Sequence, residues 1–70
     1  MSTGTVKWFS NRRGFGFITL DEGQEEVFVR HSAIQAEGVK TLGEGDRVEL
    51  DVVQGERGPK VENVRKSPHV

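Results

Sequence analysis

Seventy residues leave room for one small domain, and with 33% of them apolar the chain can fill a single thin core. There is no cysteine, which excludes disulfide staples and thiolate metal sites, and no apolar run approaches the ~18 residues of a membrane span. The net charge of −1 argues against a polyanionic partner until its distribution is considered.

Residues 1–20 carry Lys7, Arg12 and Arg13 and no acid, and residues 57–70 carry Arg57, Lys60, Arg65 and Lys66 against Glu62. The acids are concentrated between them, where only Arg30, Lys40 and Arg47 oppose them. Two basic ends can share one face, the alternative being that the charges merely solvate the surface. Met1 to Thr5 lacks the apolar stretch of a signal peptide, so the expectation is one soluble, cytoplasmic domain over residues 1–70, with 67–70 as a frayed tail.

Nine glycines imply many turns. Thr5 to Phe9 is β-branched and aromatic, Ser10 to Gly14 supplies turn residues, and Phe15 to Leu20 resumes the extended pattern, which reads as a hairpin. Asp21 to Gln24 is a second polar turn before a third strand, Val27 to Arg30. His31 to Ile34 suits one turn of 3₁₀ helix, and residues 35–46 form a long connection. Arg47 to Val52 alternates without a break, with Val48, Leu50 and Val52 on one side. Gly55 to Pro59 is a turn, and Lys60 to Lys66 is a last strand that needs a bulge or strong twist, because Val61 and Val64 are three residues apart.

Five short strands with no covering helix favour closure into a barrel, since an open sheet of this size has two bare edges and an unprotected apolar face. The expected core is Val6, Ile18, Val27, Val29, Ile34, Val48, Leu50, Val52, Val61 and Val64, with no Phe or Trp among them.

All the aromatic residues, Trp8, Phe9, Phe15, Phe17 and Phe28, fall in the first three strands. Phe15 and Phe17 share a face opposite Gly16 and Ile18, and Phe28 opposes Val27 and Val29. If the small branched residues are core, these three rings point to solvent together, with Lys7 and Arg30 beside them. The reverse phase would put Gly16, Val27 and Val29 in water. Trp8 shares the parity of Val6; a bulge in the first strand would bring it onto the exposed face, and otherwise it caps the barrel rim. An exposed patch of rings needs a ligand. Nucleic-acid bases stack on such rings with little sequence preference, and flanking Lys and Arg reach phosphates without a large net charge.

The segments Lys7-Trp8-Phe9, Arg13-Gly14-Phe15-Gly16-Phe17-Ile18 and Val27-Phe28-Val29 closely resemble the two RNA-binding motifs of the cold-shock domain family. The likeness continues through Ser32-Ala33-Ile34, Lys40-Thr41-Leu42, Glu44-Gly45 and Arg57-Gly58-Pro59. This resemblance to bacterial cold-shock proteins implies an all-β fold, a five-stranded antiparallel OB-type barrel with one short 3₁₀ turn. It also implies binding of single-stranded RNA and DNA, as in RNA chaperones and transcription antiterminators. By the same resemblance Lys7, Trp8, Phe15, Phe17 and Phe28 are binding residues and Arg57 is the basic residue of the last loop. The chain departs from the family where a His and an aromatic are usual, having Arg30-His31, and in having Val39 at a position where Phe is common. Its first turn has Arg12 and Arg13 where one basic residue is usual. Arg13, Arg30 and His31 therefore join the expected site, with a larger share for phosphate and cation–π contacts.

Other chemistries are poorly supported. His31 and Ser32 are adjacent and project in different directions, so no nucleophilic constellation forms and no enzyme activity is expected. His31 and His69 lack the companions of a metal site. Gly14-Phe15-Gly16 lacks the third glycine of a dinucleotide fingerprint, and Lys40-Thr41 lacks a phosphate-binding loop before it. No metal, cofactor, small-molecule substrate or membrane partner is expected. A monomer is expected, with strand exchange through residues 35–46 as the route to a dimer. The competing reading is a small β-barrel interaction module whose Phe15, Phe17 and Phe28 anchor a protein partner.

Overall fold

A computed structural model describes residues 2–35 and 42–66 of the chain. Val39, Lys40, Thr41 and the tail 67–70 with His69 lie outside the described residues. The alternating and aromatic segments become five antiparallel strands, β1 (Ser2–Ser10), β2 (Phe15–Leu20), β3 (Glu26–Arg30), β4 (Arg47–Gly55) and β5 (Gly58–Lys66). Among the described residues one 3₁₀ turn, His31–Ala33, follows β3, and its end is closed by the Ile34 N–H donating to the His31 carbonyl at 3.1 Å. The strands form one sheet in the order β3-β2-β1-β4-β5.

β1 is the hinge of the sheet. Its first half, Ser2 to Thr5, pairs with Leu50 to Arg47 of β4, which is why the strand begins before the expected Thr5. From Gly4 to Ser10 it pairs with β2, and the register shifts between Val6 and Trp8, so that Lys7 is an extra residue. Beyond this bulge, Trp8 faces Phe17 and Phe9 faces Gly16. The turn from β1 to β2 is ordered by Ser10, whose carbonyl accepts from the Gly14 N–H at 2.7 Å and whose hydroxyl accepts from the Arg13 N–H at 3.2 Å. Gly14 has φ 79°, a left-handed conformation that glycine adopts without a steric penalty.

The expected bulge in β5 is present. Glu49 pairs with Arg65 and Asp51 with Glu62, so Leu50 faces two residues, and Asn63 takes the left-handed φ of 53°. The extra residue turns both Val61 and Val64 inward, where they are buried. The Asn63 side chain then donates to Asp51 at 3.0 Å and accepts from Gln35 at 2.7 Å, tying β5 to its neighbours.

The sheet curls without closing fully. β3 and β5 are its two edges, and the backbone link between these sides among the described residues is a parallel bridge from Ile34 to Val64, with the Gln35 N–H donating to the Val64 carbonyl at 2.7 Å, beside the Gln35–Asn63 side-chain bond. β3 ends after five residues in the 3₁₀ turn, and β5 carries Pro59, which has no N–H to give. The fold is an OB-type barrel left partly open on this side, where the sequence suggested closure.

Nine of the ten expected core residues are buried: Val6, Ile18, Val27, Val29, Ile34, Val48, Leu50, Val61 and Val64. Val52 is only partly buried, and Leu42, from the long connection, completes the core. Phe9 also packs against it, contrary to the expectation that no ring would, because the Lys7 bulge turns Phe9 inward.

Opposite charges tie the strands at one end. The Asp21 carboxylate, just after β2, accepts from both Arg47 guanidinium nitrogens at 2.6 and 2.5 Å and from the Thr3 hydroxyl at 2.6 Å. These bonds, that from Arg47 foremost, hold the Asp21 carboxyl well below the usual carboxylate range, and Asp21 in turn raises the Arg47 guanidinium. Among the described residues no helix is long and apolar enough to cross a membrane.

Candidate functional site

The outward face of β1, β2 and β3 carries four rings in a closed chain of neighbours. Trp8 lies 5.8 Å from Phe15 and 5.5 Å from Phe17, centroid to centroid, and Phe28 lies 5.7 Å from Phe15 and 5.6 Å from Phe17. The circuit is closed, each ring resting on two others. Pairing puts the rings there: Phe17 stands between Trp8 on β1 and Phe28 on β3, and Phe15 stands between Ser10 and Arg30. The residues alternating with them, Gly16, Ile18, Val27 and Val29, are buried.

Trp8 and Phe28 remain 38% and 44% exposed, well above the level of core rings, whereas Phe15 and Phe17 are half-buried between them. The phase of the sheet is therefore the one read from the sequence, and the Lys7 bulge brings Trp8 onto the same face. The ring planes differ, from 30° between Phe15 and Phe28 to 73° between Phe17 and Phe28, so the surface is faceted.

The charged residues are placed less uniformly. The Arg30 guanidinium lies over the Phe28 ring, 5.7 Å from its centroid. Lys7 is exposed beside the rings, but its ammonium pairs with Glu26 at 2.5 Å, a partner that sequence reasoning missed because the two are 19 residues apart and meet only through the sheet register. Arg13 and His31 are exposed at the end of the face, where the His31 N–H donates to the Gly14 carbonyl at 2.7 Å and joins the first turn to the 3₁₀ turn. Arg57 is exposed in the β4–β5 turn, away from the four rings in sequence and strand order.

A groove of about 550 Å³ continues the aromatic face past β3, along the partly open side of the barrel. Phe28 and Arg30 form one wall, and Pro59, Lys60 and Asn63 form the other. Arg57 precedes this wall and does not line it. Lys60 and Asn63 were not singled out from sequence, although Asn63 occupies the bulge that the spacing of Val61 and Val64 required. The arrangement offers flat apolar planes, a cation on one of them and a polar channel leading off the edge.

A family described as 'Cold-shock' DNA-binding domain matches residues 2–67. Cold shock-like protein CspA of Stigmatella aurantiaca is 54% identical over 97% of the chain and 100% of its own length. Cold shock-like protein CspLB of Listeria monocytogenes is 58% identical over 94% of the chain and 98% of its own length. Cold shock-like protein CspE of Escherichia coli is 54% identical over 87% and 88%.

Proposed function

Because the chain belongs to the 'Cold-shock' DNA-binding domain family, we propose that its aromatic face binds single-stranded RNA and DNA by stacking unpaired bases on Trp8, Phe15, Phe17 and Phe28. The observation that carries this reading is the closed circuit of four rings held at the surface, two of them more than a third exposed. Base–ring stacking contributes about 1–3 kcal/mol per base and tolerates any base, since every base has a π-face. Arg30, already over Phe28, adds a cation to one stack, and Lys7, Arg13, His31 and Arg57 are the groups assigned to the sugar–phosphate chain.

Binding of this kind acts on RNA by mass action. The protein captures a segment while it is unpaired and withholds it from re-pairing, which lowers the population of structured RNA without a nucleotide-driven step. This is the work of an RNA chaperone or a transcription antiterminator, carried out as a monomer in the cytoplasm.

Trp8 fluorescence provides the test. Titration with an unstructured oligothymidylate is expected to quench Trp8 substantially. An unchanged signal with the fold retained would instead favour the protein-interaction module.

A further inference from the structure

At the end of the aromatic face a depression of about 460 Å³ is lined by Asn11, Arg12, Arg13 and Gly14 of the first turn and by Arg30, His31 and Ser32 after β3. Three arginines and a histidine line one shallow, open depression, and among the described residues no acidic residue lines it. Elsewhere on the described surface four cations are paired, Lys7 with Glu26, Arg47 with Asp21, Lys60 with Glu62 and Lys66 with Asp46, while Arg57 and Arg65 stand in none of these pairs. Among the described residues, none of these ion pairs involves Arg12, Arg13 or Arg30. Three like charges beside one another repel, and a protein whose net charge is −1 has acids enough to offset them.

The walls of the hollow are also fixed. Ser10 orders the turn through its carbonyl and hydroxyl, and the His31 N–H to Gly14 carbonyl bond at 2.7 Å locks the turn to the 3₁₀ segment. A planar, five-donor guanidinium suits the oxygens of a phosphate, and two or three from different elements can surround one.

We infer that this hollow is a phosphate-binding pocket, a second recognition element that fixes one position of the nucleic-acid chain relative to the rings. The inference rests on the proposed function and deepens it. Arg30 lines the hollow and also covers Phe28, so a phosphate held here lies next to a base on that ring. The phosphate has two possible sources, a terminal monoester or an internal diester, which differ in charge and in where they sit on the strand.

The test compares hexathymidylates bearing a 5′-hydroxyl, a 5′-phosphate or a 3′-phosphate, with the wild-type protein and an Arg12→Gln/Arg13→Gln variant whose melting is checked in parallel. One phosphorylated end binding about fivefold tighter or better, with the advantage erased in the variant, assigns the pocket to a terminal phosphate. Equal affinity for all three oligonucleotides, with a loss in the variant and a salt slope about 1 unit shallower, assigns it to an internal diester. Equal affinity for all three, with affinity and salt slope unchanged in the variant, overturns the pocket and leaves the stacking function standing. Failure of the 5′-hydroxyl strand to quench Trp8 in the wild type, with no gain from either terminal phosphate, defeats the pocket and the stacking function together.

Discussion

Trp8 stands directly opposite Phe17 across the β1–β2 pair, 5.5 Å between ring centroids, because Lys7 is an extra residue that turns the rest of β1 over. The same inversion presses Phe9 against Gly16 on the inner side. A Cβ placed on Gly16 would collide with the Trp8 carbonyl oxygen and lie 2.7 Å from the Phe9 Cα, both backbone atoms with little freedom to move.

Gly16→Ala is therefore expected to destabilise the fold by about 1–3 kcal/mol, the ordinary cost of forcing atoms into a filled site. Urea unfolding measures it. Oligonucleotide affinity should fall as well, because the backbone being pushed carries Trp8.

Phe28→Ala removes the most exposed ring and the one beneath Arg30. The fold should persist, since the core is built without this side chain, while affinity for oligothymidylate drops about five- to 150-fold, equivalent to ~1–3 kcal/mol for one stack. The Phe15, Phe17 and Phe28 triple alanine variant should lose most affinity and still unfold cooperatively. Collapse of its secondary structure would show that the rings are core.

Lys7 pairs with Glu26 and, under the proposed function, this pair competes with the nucleic acid for one cation. With about three phosphates neutralised, log affinity should fall against log salt with a slope near −2, and a measured slope steeper than about −5 would mean that basic residues outweigh the rings. Glu26→Gln frees Lys7 and is expected to tighten binding at low salt by about two- to fivefold, within the range of an exposed ion pair, and to steepen the slope. At high salt the two proteins should converge.

Asp21 accepts from Arg47 and Thr3, which holds its carboxyl below the value it has in the unfolded chain. The resulting stabilisation is complete above the unfolded carboxyl's value of about 3.9 and is withdrawn as pH falls below it toward the folded-state value. Asp21→Asn should lower the melting temperature at pH 7, and the gap from wild type should narrow as the pH is taken down to 2.

Much of this site was readable before any coordinates because it depends on parity. Val27-Phe28-Val29 and Gly16-Phe17-Ile18 each place a ring between two small or branched residues, and strand geometry sends the two kinds to opposite faces. The β5 bulge was legible for the same reason, Val61 and Val64 being out of step with a period of two.

The β1 bulge was less determinate. Lys7 offers no local signal that it is the supernumerary residue, and the parity of Phe9 depends on it. Leu42 lies in a stretch without periodicity, so its burial could not be counted from spacing. The Lys7–Glu26 pair and the meeting of Arg12, Arg13, Arg30 and His31 depend on the register of strands and turns far apart in the chain, as does the partly open side of the barrel, which Ile34 and Val64 bridge.

The four-ring circuit also bears on how binding free energy is distributed. Each ring is propped by two neighbours before a ligand arrives, so stacking a base restricts few protein torsions, and the ordering entropy of association falls mainly on the incoming strand. A more rigid oligonucleotide, already stacked in a compatible spacing, should then gain affinity over a limp one of identical composition.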